Sequence, residues 1–246
     1  MLLELKNRSC CCPTFERWLY LRAHWVGVMG RDERAYLEKN IRPGLRILDV
    51  GSNLGLYSVL MARLAGPGGR LICFEPDPGL FSALQESCRR NEVSWVECHN
   101  LAVGSAAAEL TLHKSILNSG DNHLGNRKGH LFRRAITTQV VRLDDFLPQL
   151  AVDFIKIDVQ GWELEVLRGM PRILNENANV RIYFEFWPLG YRRANSSHRE
   201  LIAFLREANF RIFDPVTAAE LGDDAIERLD RAGGYTNLLA ARTPPA

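Results

Sequence analysis

The sequence lacks an apolar run near the ~20 residues that a bilayer-spanning helix needs. Its first six residues, Met-Leu-Leu-Glu-Leu-Lys, place a charge at Glu4, so we expect no secretory leader and predict a cytoplasmic protein. Net charge is also small, because 31 Lys and Arg residues against 29 Asp and Glu residues leave +2. Nucleic-acid binders usually carry a clear basic excess, so no nucleic-acid partner is expected.

Cysteines are few, and their spacing suits neither a metal site nor a redox motif. Three of the six are adjacent, from Cys10 to Cys12, and there is no Cys-x-x-Cys pair. A zinc knuckle and a thioredoxin-like site are therefore not supported, and reduced thiols are expected. The triplet lies beside the aromatic stretch from Phe15 to Met29, which leaves S-acylation with weak peripheral membrane association as an alternative.

The chain otherwise has the composition of an ordinary globular protein, with 46% hydrophobic and 24% charged residues. A length of 246 residues suits one α/β domain with embellishments. We predict a helical extension over residues 1–42, in which Trp18 and Trp25 share an apolar face, followed by the main domain over 43–246. A second helix of the extension is expected over 32–40, with Asp32 as its N-cap. The extension would form a lid over a substrate pocket, with homodimer packing as an alternative.

From residue 46 onward, short apolar strands alternate with helical stretches. This alternation predicts right-handed crossovers and a mainly parallel sheet. No clear amphipathic helix separates the last two strands, so the final strand is expected to be antiparallel. The predicted strands are 46–50, 70–74, 94–98, 153–157, 180–186, 210–213 and 237–241, and the predicted helices are 56–64, 78–91, 162–174 and 197–208.

The alternation changes between residues 107 and 146. Residues 109–114 and 137–141 alternate like strands, and they flank a polar insert at about 115–135 that is rich in Gly, Asn and His. Loops of this kind carry ligand contacts more often than they add stability. We expect the insert to help build the pocket for a substrate.

A glycine-containing turn follows the first strand of the alternation, from Asp49 through Gly51 and Asn53 to Gly55. Glycines there let the backbone approach a ligand, and the following helix offers free N–H groups. Asn53 stands where a dinucleotide fold needs its second glycine, which disfavours a nicotinamide oxidoreductase. Asp49 is expected near a cationic amine.

Two further features, the acid Glu75 and the segment at Asn100 and Ala102, indicate which ligand this turn binds. Glu75 ends the second strand, 20 residues beyond Gly55, where an acid can accept hydrogen bonds from both hydroxyls of a ribose. A simple helix N-terminal acid is the alternative role. Asn100 and Ala102 follow the third strand, where the backbone could read an adenine edge. Together these residues favour an adenosyl ligand without phosphates, and S-adenosylmethionine fits.

Two acids end central strands, where α/β folds place their sites. Asp158 follows the fourth strand and Glu185 lies near the end of the fifth. Lys156, in mid-strand, must reach water or a partner. Asp121 and His123 lie in the polar insert and could join these acids if the insert folds over the pocket.

The combination of these motifs resembles the FkbM-type methyltransferase family over about residues 45–215. Gln160 stands where many members carry Glu, which argues against a catalytic carboxylate at that position. The matching stretches are Leu48-Asp49-Val50-Gly51 with Gly55-Leu56-Tyr57-Ser58, Phe74-Glu75-Pro76, Leu143-Asp144-Asp145, Ile155-Lys156-Ile157-Asp158-Val159-Gln160-Gly161-Trp162-Glu163, Val166-Leu167-Arg168-Gly169 and Asn118-Ser119-Gly120-Asp121-Asn122-His123-Leu124.

The resemblance implies a Rossmann-like class I fold and S-adenosylmethionine-dependent methylation of a hydroxyl on a sugar, polyketide or other small metabolite. An alcohol is a poor nucleophile, so a base should assist. Candidates are His123, Asp121, Asp158 and Glu185. A divalent metal on the three carboxylates is an alternative that we do not expect. An inactive scaffold that keeps the fold and binds a partner is the alternative function.

Overall fold

The computed structural model describes residues 30–115, 122–124 and 133–245, together with two short strands near the start of the chain. These are Leu2–Glu4 (β1) and Ser9–Cys11 (β2), which pair antiparallel. The helix predicted around Trp18 and Trp25 lies outside the described residues. No helix among the described residues is long and apolar enough to cross a membrane.

The remaining elements alternate along the chain much as the sequence predicts. The strands are Arg46–Val50 (β3), Arg70–Phe74 (β4), Val96–His99 (β5), Ala102–Val103 (β6), Ala108–Ser115 (β7), His123–Leu124 (β8), Arg133–Val141 (β9), Phe154–Ile157 (β10), Arg181–Phe186 (β11), Arg211–Phe213 (β12) and Thr236–Ala241 (β13). The helices are Arg31–Asn40 (α1), Leu56–Ala65 (α2), Pro78–Arg90 (α3), Leu143–Phe146 (α4), Glu163–Arg168 (α5), Pro171–Glu176 (α6), Pro188–Arg193 (α7), His198–Glu207 (α8) and Asp223–Ala232 (α9).

Seven strands form the main sheet in the order β12-β13-β11-β10-β3-β4-β5. β3 lies between β10 and β4 and is parallel to both. β13 is antiparallel to β11 and to β12. The predicted seven-stranded, mainly parallel sheet with an antiparallel last strand is therefore confirmed.

Both faces of the main sheet are buried, because helices cover each side. Side chains alternate along a strand, so Leu48 packs in the core beneath α5 and α8, whereas Ile47 packs in the core beneath α1, α2 and α3. Asp49 has the same parity as Ile47, and Lys156 of β10 is its register partner. Two charged side chains are thus placed inside the second of these cores, where each needs a partner.

A smaller second sheet, β6-β9-β7-β8, lies beside the carboxyl end of the main sheet. Its apolar contacts are Ala102, Leu112, Leu124 and Val140, with Trp162 packed against them. The two strands predicted at 109–114 and 137–141 pair antiparallel as β7 and β9, and both are longer than predicted. β6 and nearly all of β7 and β9 therefore come from residues that flank the polar insert, whereas β8 lies within it.

Two local predictions were wrong, and three helices, α4, α7 and α9, were not predicted. Asp32 is not an N-cap, because α1 begins at Arg31 after Gly30 in the left-handed conformation, which leaves Asp32 in the first turn. The helix predicted over 162–174 is divided into α5 and α6, since Pro171 cannot donate the hydrogen bond that would continue α5. α9 was missed because Ile226 is its one buried residue, so its apolar pattern is short.

Candidate functional site

An open cavity of about 700 Å³, counted with its opening to solvent, lies where the carboxyl ends of β3, β4 and β10 meet the second sheet. The main sheet contributes Gly51, Glu75 and Asp158 to the lining, and the second sheet contributes Leu112 and Leu124. The cavity thus has a polar wall on strand ends and an apolar wall on the second sheet.

The turn after β3 brings backbone to the cavity. Gly51 has φ +85°, and a Cβ atom there would lie 2.0 Å from the carbonyl oxygen of Asp158. Only glycine fits this position, because the backbone after β3 touches the backbone after β10. Asn53, also left-handed with φ 51°, lines the cavity, and Gly55 is the N-cap of α2.

Glu75 is the most deeply held acid of the lining, with 4% of its surface exposed. Its Oε2 accepts a hydrogen bond from the Asn53 N–H at 2.8 Å, and its Oε1 accepts one from the Asp77 N–H at 2.9 Å. Burial, and secondarily the Asp77 and Asp49 carboxylates, raise the pKa of Glu75 to about 8. Each oxygen keeps a second lone pair, so the carboxylate can still accept two ligand hydroxyls.

Asp49 lies beneath the turn rather than on the cavity wall. Its Oδ2 accepts a hydrogen bond from the Ser58 hydroxyl of α2 at 2.5 Å. Burial raises the pKa of Asp49, and the Lys156 ammonium partly offsets this rise. The structure therefore places Asp49 where it supports the turn from below.

Asp158 lines the cavity and is held from two sides. The Lys156 ammonium lies 3.2 Å from its Oδ2, and the Gln160 side-chain amide donates to its Oδ1 at 3.1 Å. The same amide nitrogen donates to Oε2 of Glu185 at 2.9 Å. Gln160 thus joins the two acids that the sequence placed at neighbouring strand ends.

The backbone that presents Gln160 is left-handed, with φ 58° at Gln160 and φ +100° at Gly161. A Cβ atom at Gly161 would lie 2.4 Å from the backbone carbonyl of Gly190. The Glu163 carboxylate folds back and accepts from the Val159 N–H at 3.1 Å and from the Gly161 N–H at 3.3 Å. These contacts fix the loop after β10, and burial raises the pKa of Glu163 to about 7.

Glu185 is adjacent to the cavity and reaches it through Gln160. Burial is the largest cause that raises its pKa well above the ordinary value, and the Asp158 and Glu163 carboxylates add to it. The Gln160 amide joins Glu185 to Asp158 instead of leaving the two acids facing one another. The third carboxylate of the metal alternative, Asp121, lies outside the described residues.

A buried network that the sequence did not reveal extends from Asp158 toward α1. Lys156 is 2% exposed, and its ammonium lies 3.7 Å from Oε1 of Glu33. Burial lowers the pKa of Lys156, but the Asp158, Glu33 and Asp49 carboxylates together raise it above the ordinary value. Burial also raises the pKa of Glu33, against the effect of Lys156.

Among the described residues, carboxyl groups outnumber ammonium groups around Lys156. Four carboxylates interact with this one ammonium: Glu33, Asp49, Asp158 and Glu185. Burial raises the pKa of three of these acids, Glu33, Asp49 and Glu185, and a cationic ligand bound nearby would favour their ionised forms. The site thus favours a cation.

The other predicted residues occupy varied positions. The Asn100 side-chain amide donates to the carbonyl oxygen of Glu75 at 2.8 Å, so it braces β5 against the end of β4. Ala102 lines the cavity. His123 belongs to β8, between two cavity-lining residues, Asn122 and Leu124; its side chain lies outside the described part of the structure.

Residues 49–212 match the methyltransferase FkbM domain family. Methyltransferase 1 of Beauveria bassiana is 29% identical over 144 residues, which cover 50% of this chain and 57% of that protein. The hexuronic acid methyltransferase AglP of Haloferax volcanii is 27% identical over 126 residues, which cover 51% and 50%. The matches span 50–60% of the length of the curated relatives.

Among solved structures, a candidate rRNA methylase of Clostridium thermocellum superposes with a TM-score of 0.51 at 8% identity, covering 87% of this chain and 95% of that chain. At this identity the likeness concerns the fold alone, and it confirms the Rossmann-like methyltransferase architecture. The family match covers well over half of the chain. The chain therefore belongs to the FkbM methyltransferase family, and the resemblance seen in the sequence is confirmed.

Proposed function

We propose that this member of the FkbM family transfers the methyl group of S-adenosylmethionine to a hydroxyl of a sugar, polyketide or other small metabolite. The observation that carries the proposal is the pairing of Glu75 and Asp158 in one cavity. Glu75 presents lone pairs suited to a ribose diol, and Asp158 belongs to a group of four carboxyls around the Lys156 ammonium. A diol next to a cation is the chemistry of S-adenosylmethionine.

The residues fit this cofactor on three counts. Glu75 would hold the ribose hydroxyls, and the carboxylates around Lys156 would favour the sulfonium and amino groups. The backbone at Gly51 leaves no side chain between ligand and strand ends. When bound, S-adenosylmethionine supplies a methyl group activated by its sulfonium, so much of the catalysis is alignment of the acceptor and exclusion of water.

Asp158 is the base that the geometry favours among the described side chains. It lines the cavity, and Lys156 and Gln160 fix its two oxygens. Its carboxylate would take the proton of the acceptor hydroxyl. Leu112 and Leu124 would exclude water from the opposite wall. His123 is the second candidate base, from its backbone position on β8 beside the cavity.

The acceptor class rests on the relatives and on the need for a base. The Haloferax relative is named as a hexuronic acid methyltransferase, which makes sugars and uronic acids the first acceptors to test. Hydroxylated polyketides form the second group. Each carries an alcohol that must lose its proton when it is methylated, and the Asp158 carboxylate would accept that proton.

The first test is calorimetric titration of the protein with S-adenosylmethionine and S-adenosylhomocysteine. We expect binding of both, lost in Glu75→Ala and retained in Glu86→Ala, a partly exposed control on α3. Release of S-adenosylhomocysteine is then measured with the acceptor panel. A folded wild type that binds neither ligand would contradict the proposal and favour the inactive scaffold.

A further inference from the structure

Asp77 connects the ribose-binding acid to the second sheet. Its backbone N–H donates to Oε1 of Glu75 at 2.9 Å. Its side chain is the N-cap of α3, where Oδ1 accepts from the Gly79 N–H at 2.8 Å. The residue is 1% exposed, so this carboxylate is held in one orientation at the edge of the cavity.

The other oxygen of Asp77 faces the second sheet. The Lys114 ammonium of β7 lies 2.7 Å from Oδ2, and the Asn122 side-chain amide donates to the same atom at 3.3 Å. Leu112 of β7 and Leu124 of β8 line the cavity beside these contacts. One buried carboxylate thus joins the apolar wall of the cavity to the acid on its polar wall.

The same contact sets the charge around Glu75. The carboxylates of Asp77 and Asp49 face Glu75 and raise its pKa, in addition to burial. Lys114 is the cation that the second sheet places against Asp77. By offsetting the charge of Asp77, Lys114 favours the ionised form of Glu75, which is the form that accepts hydrogen bonds from two hydroxyls.

We propose that Lys114 and Asp77 are positioning residues for the cofactor, whose ion pair fastens the second sheet over the ribose end of the cavity and so couples cofactor binding to the stability of that sheet. The inference rests on the proposed function, since the ligand is S-adenosylmethionine. Lys114 acts through Asp77 and Glu75, and the ion pair holds Leu112 and Leu124 against the cavity.

The charge of Asp77 can be removed while its role as the N-cap of α3 is kept. Asp77→Asn keeps an N-cap side chain, because Asn caps helices about as well as Asp. Lys114→Met removes the cation, Lys114→Arg restores it, and Lys39→Met is a control for loss of an exposed lysine. Affinity for S-adenosylmethionine and S-adenosylhomocysteine is measured by calorimetry between pH 6.5 and 9, and hydrogen exchange is followed in peptides from β7 and β9.

In the wild type, ligand binding should slow exchange in both strands. Lys114→Met and Asp77→Asn should each weaken binding about tenfold, within the usual range of coupling between two sites. Both variants should lose the ligand-induced protection. The double variant should be no weaker than either single one, and Lys114→Arg should restore most of the affinity.

The pH profile separates positioning from simple structural support. Binding should strengthen with rising pH as Glu75 ionises, and in Lys114→Met this rise should move to higher pH because Asp77 is then uncompensated. Unchanged affinity, exchange and pH profile in both Lys114→Met and Asp77→Asn would overturn the inference. Failure of the wild type to bind either ligand would instead overturn the proposed function.

Discussion

The buried carboxyl of Glu75 should make the protein less stable as pH rises. Its pKa is 4.5 in an ordinary setting and about 8 in the fold. The folded protein therefore keeps a proton that the unfolded chain releases, so raising the pH favours unfolding. At about 1.4 kcal/mol for each unit of pKa difference, the cost to the unfolding free energy between pH 5 and pH 9 is about 4 kcal/mol.

Glu75→Gln removes this titration while keeping the size of the side chain. The free energy of unfolding of the variant, relative to that of the wild type, should rise by about 4 kcal/mol from pH 5 to pH 9. This corresponds to roughly 10 °C in melting temperature for a chain of this size. Gln can accept only one of the two amide hydrogen bonds, but that loss is the same at both pH values. The loss therefore cancels when the stability difference between variant and wild type at pH 9 is compared with the same difference at pH 5.

Thermal unfolding of wild type and variant at pH 5, 7 and 9 measures the effect. Glu86→Gln is the matched control on α3. Glu86 is partly exposed and paired with Arg89 and Arg90, which lower its pKa to about 2. It is ionised across this range, so the control should show no pH-dependent difference. A constant difference between Glu75→Gln and wild type at all three pH values would refute the assigned environment of Glu75.

Three further outcomes follow from the site. Gly51→Ala should abolish cofactor binding and lower the melting temperature, because its methyl group would meet the Asp158 carbonyl at 2.0 Å; normal titration by calorimetry would contradict this. Lys156→Met should cost about 3–5 kcal/mol in urea unfolding, since it leaves Glu33 and Asp158 without their buried cation; a neutral result would mean that these acids are protonated. His123→Ala should lower turnover far more than cofactor affinity, and unchanged turnover would remove it from the mechanism.

The sequence was sufficient to locate the cavity because strand ends are local features. Glu75 and Asp158 each follow a short apolar run, and parallel strands bring their carboxyl ends to one edge of the sheet. The mainly parallel sheet followed from the same alternation. The antiparallel last strand was predicted for a wrong reason, the absence of a helix before it, because α9 separates β12 from β13. Strands and strand ends can be predicted in this way because each is encoded by a short continuous stretch of sequence.

The supporting contacts could not be found in this way, because they join distant segments. Glu33 meets Lys156 from a helix outside the main alternation, and Lys114 meets Asp77 across two sheets. Gln160 looked like the loss of an acid in the family motif, whereas its amide joins two acids. Mid-strand Lys156 was the one signal available, since a buried ammonium requires partners.

The second sheet leaves the main fold and returns to it at neighbouring positions. β6 and β9 pair in parallel, with Val103 opposite Val141, and adjacent strands lie about 4.7–4.9 Å apart. Because the two ends of this segment lie side by side, residues 104–139 could be replaced by the matching segment of a relative without moving the main sheet. Such a chimera would test whether the segment determines acceptor preference. The transplanted segment would have to bring its own cation for Asp77, which makes a lysine in that register the feature to select for when chimeras are designed.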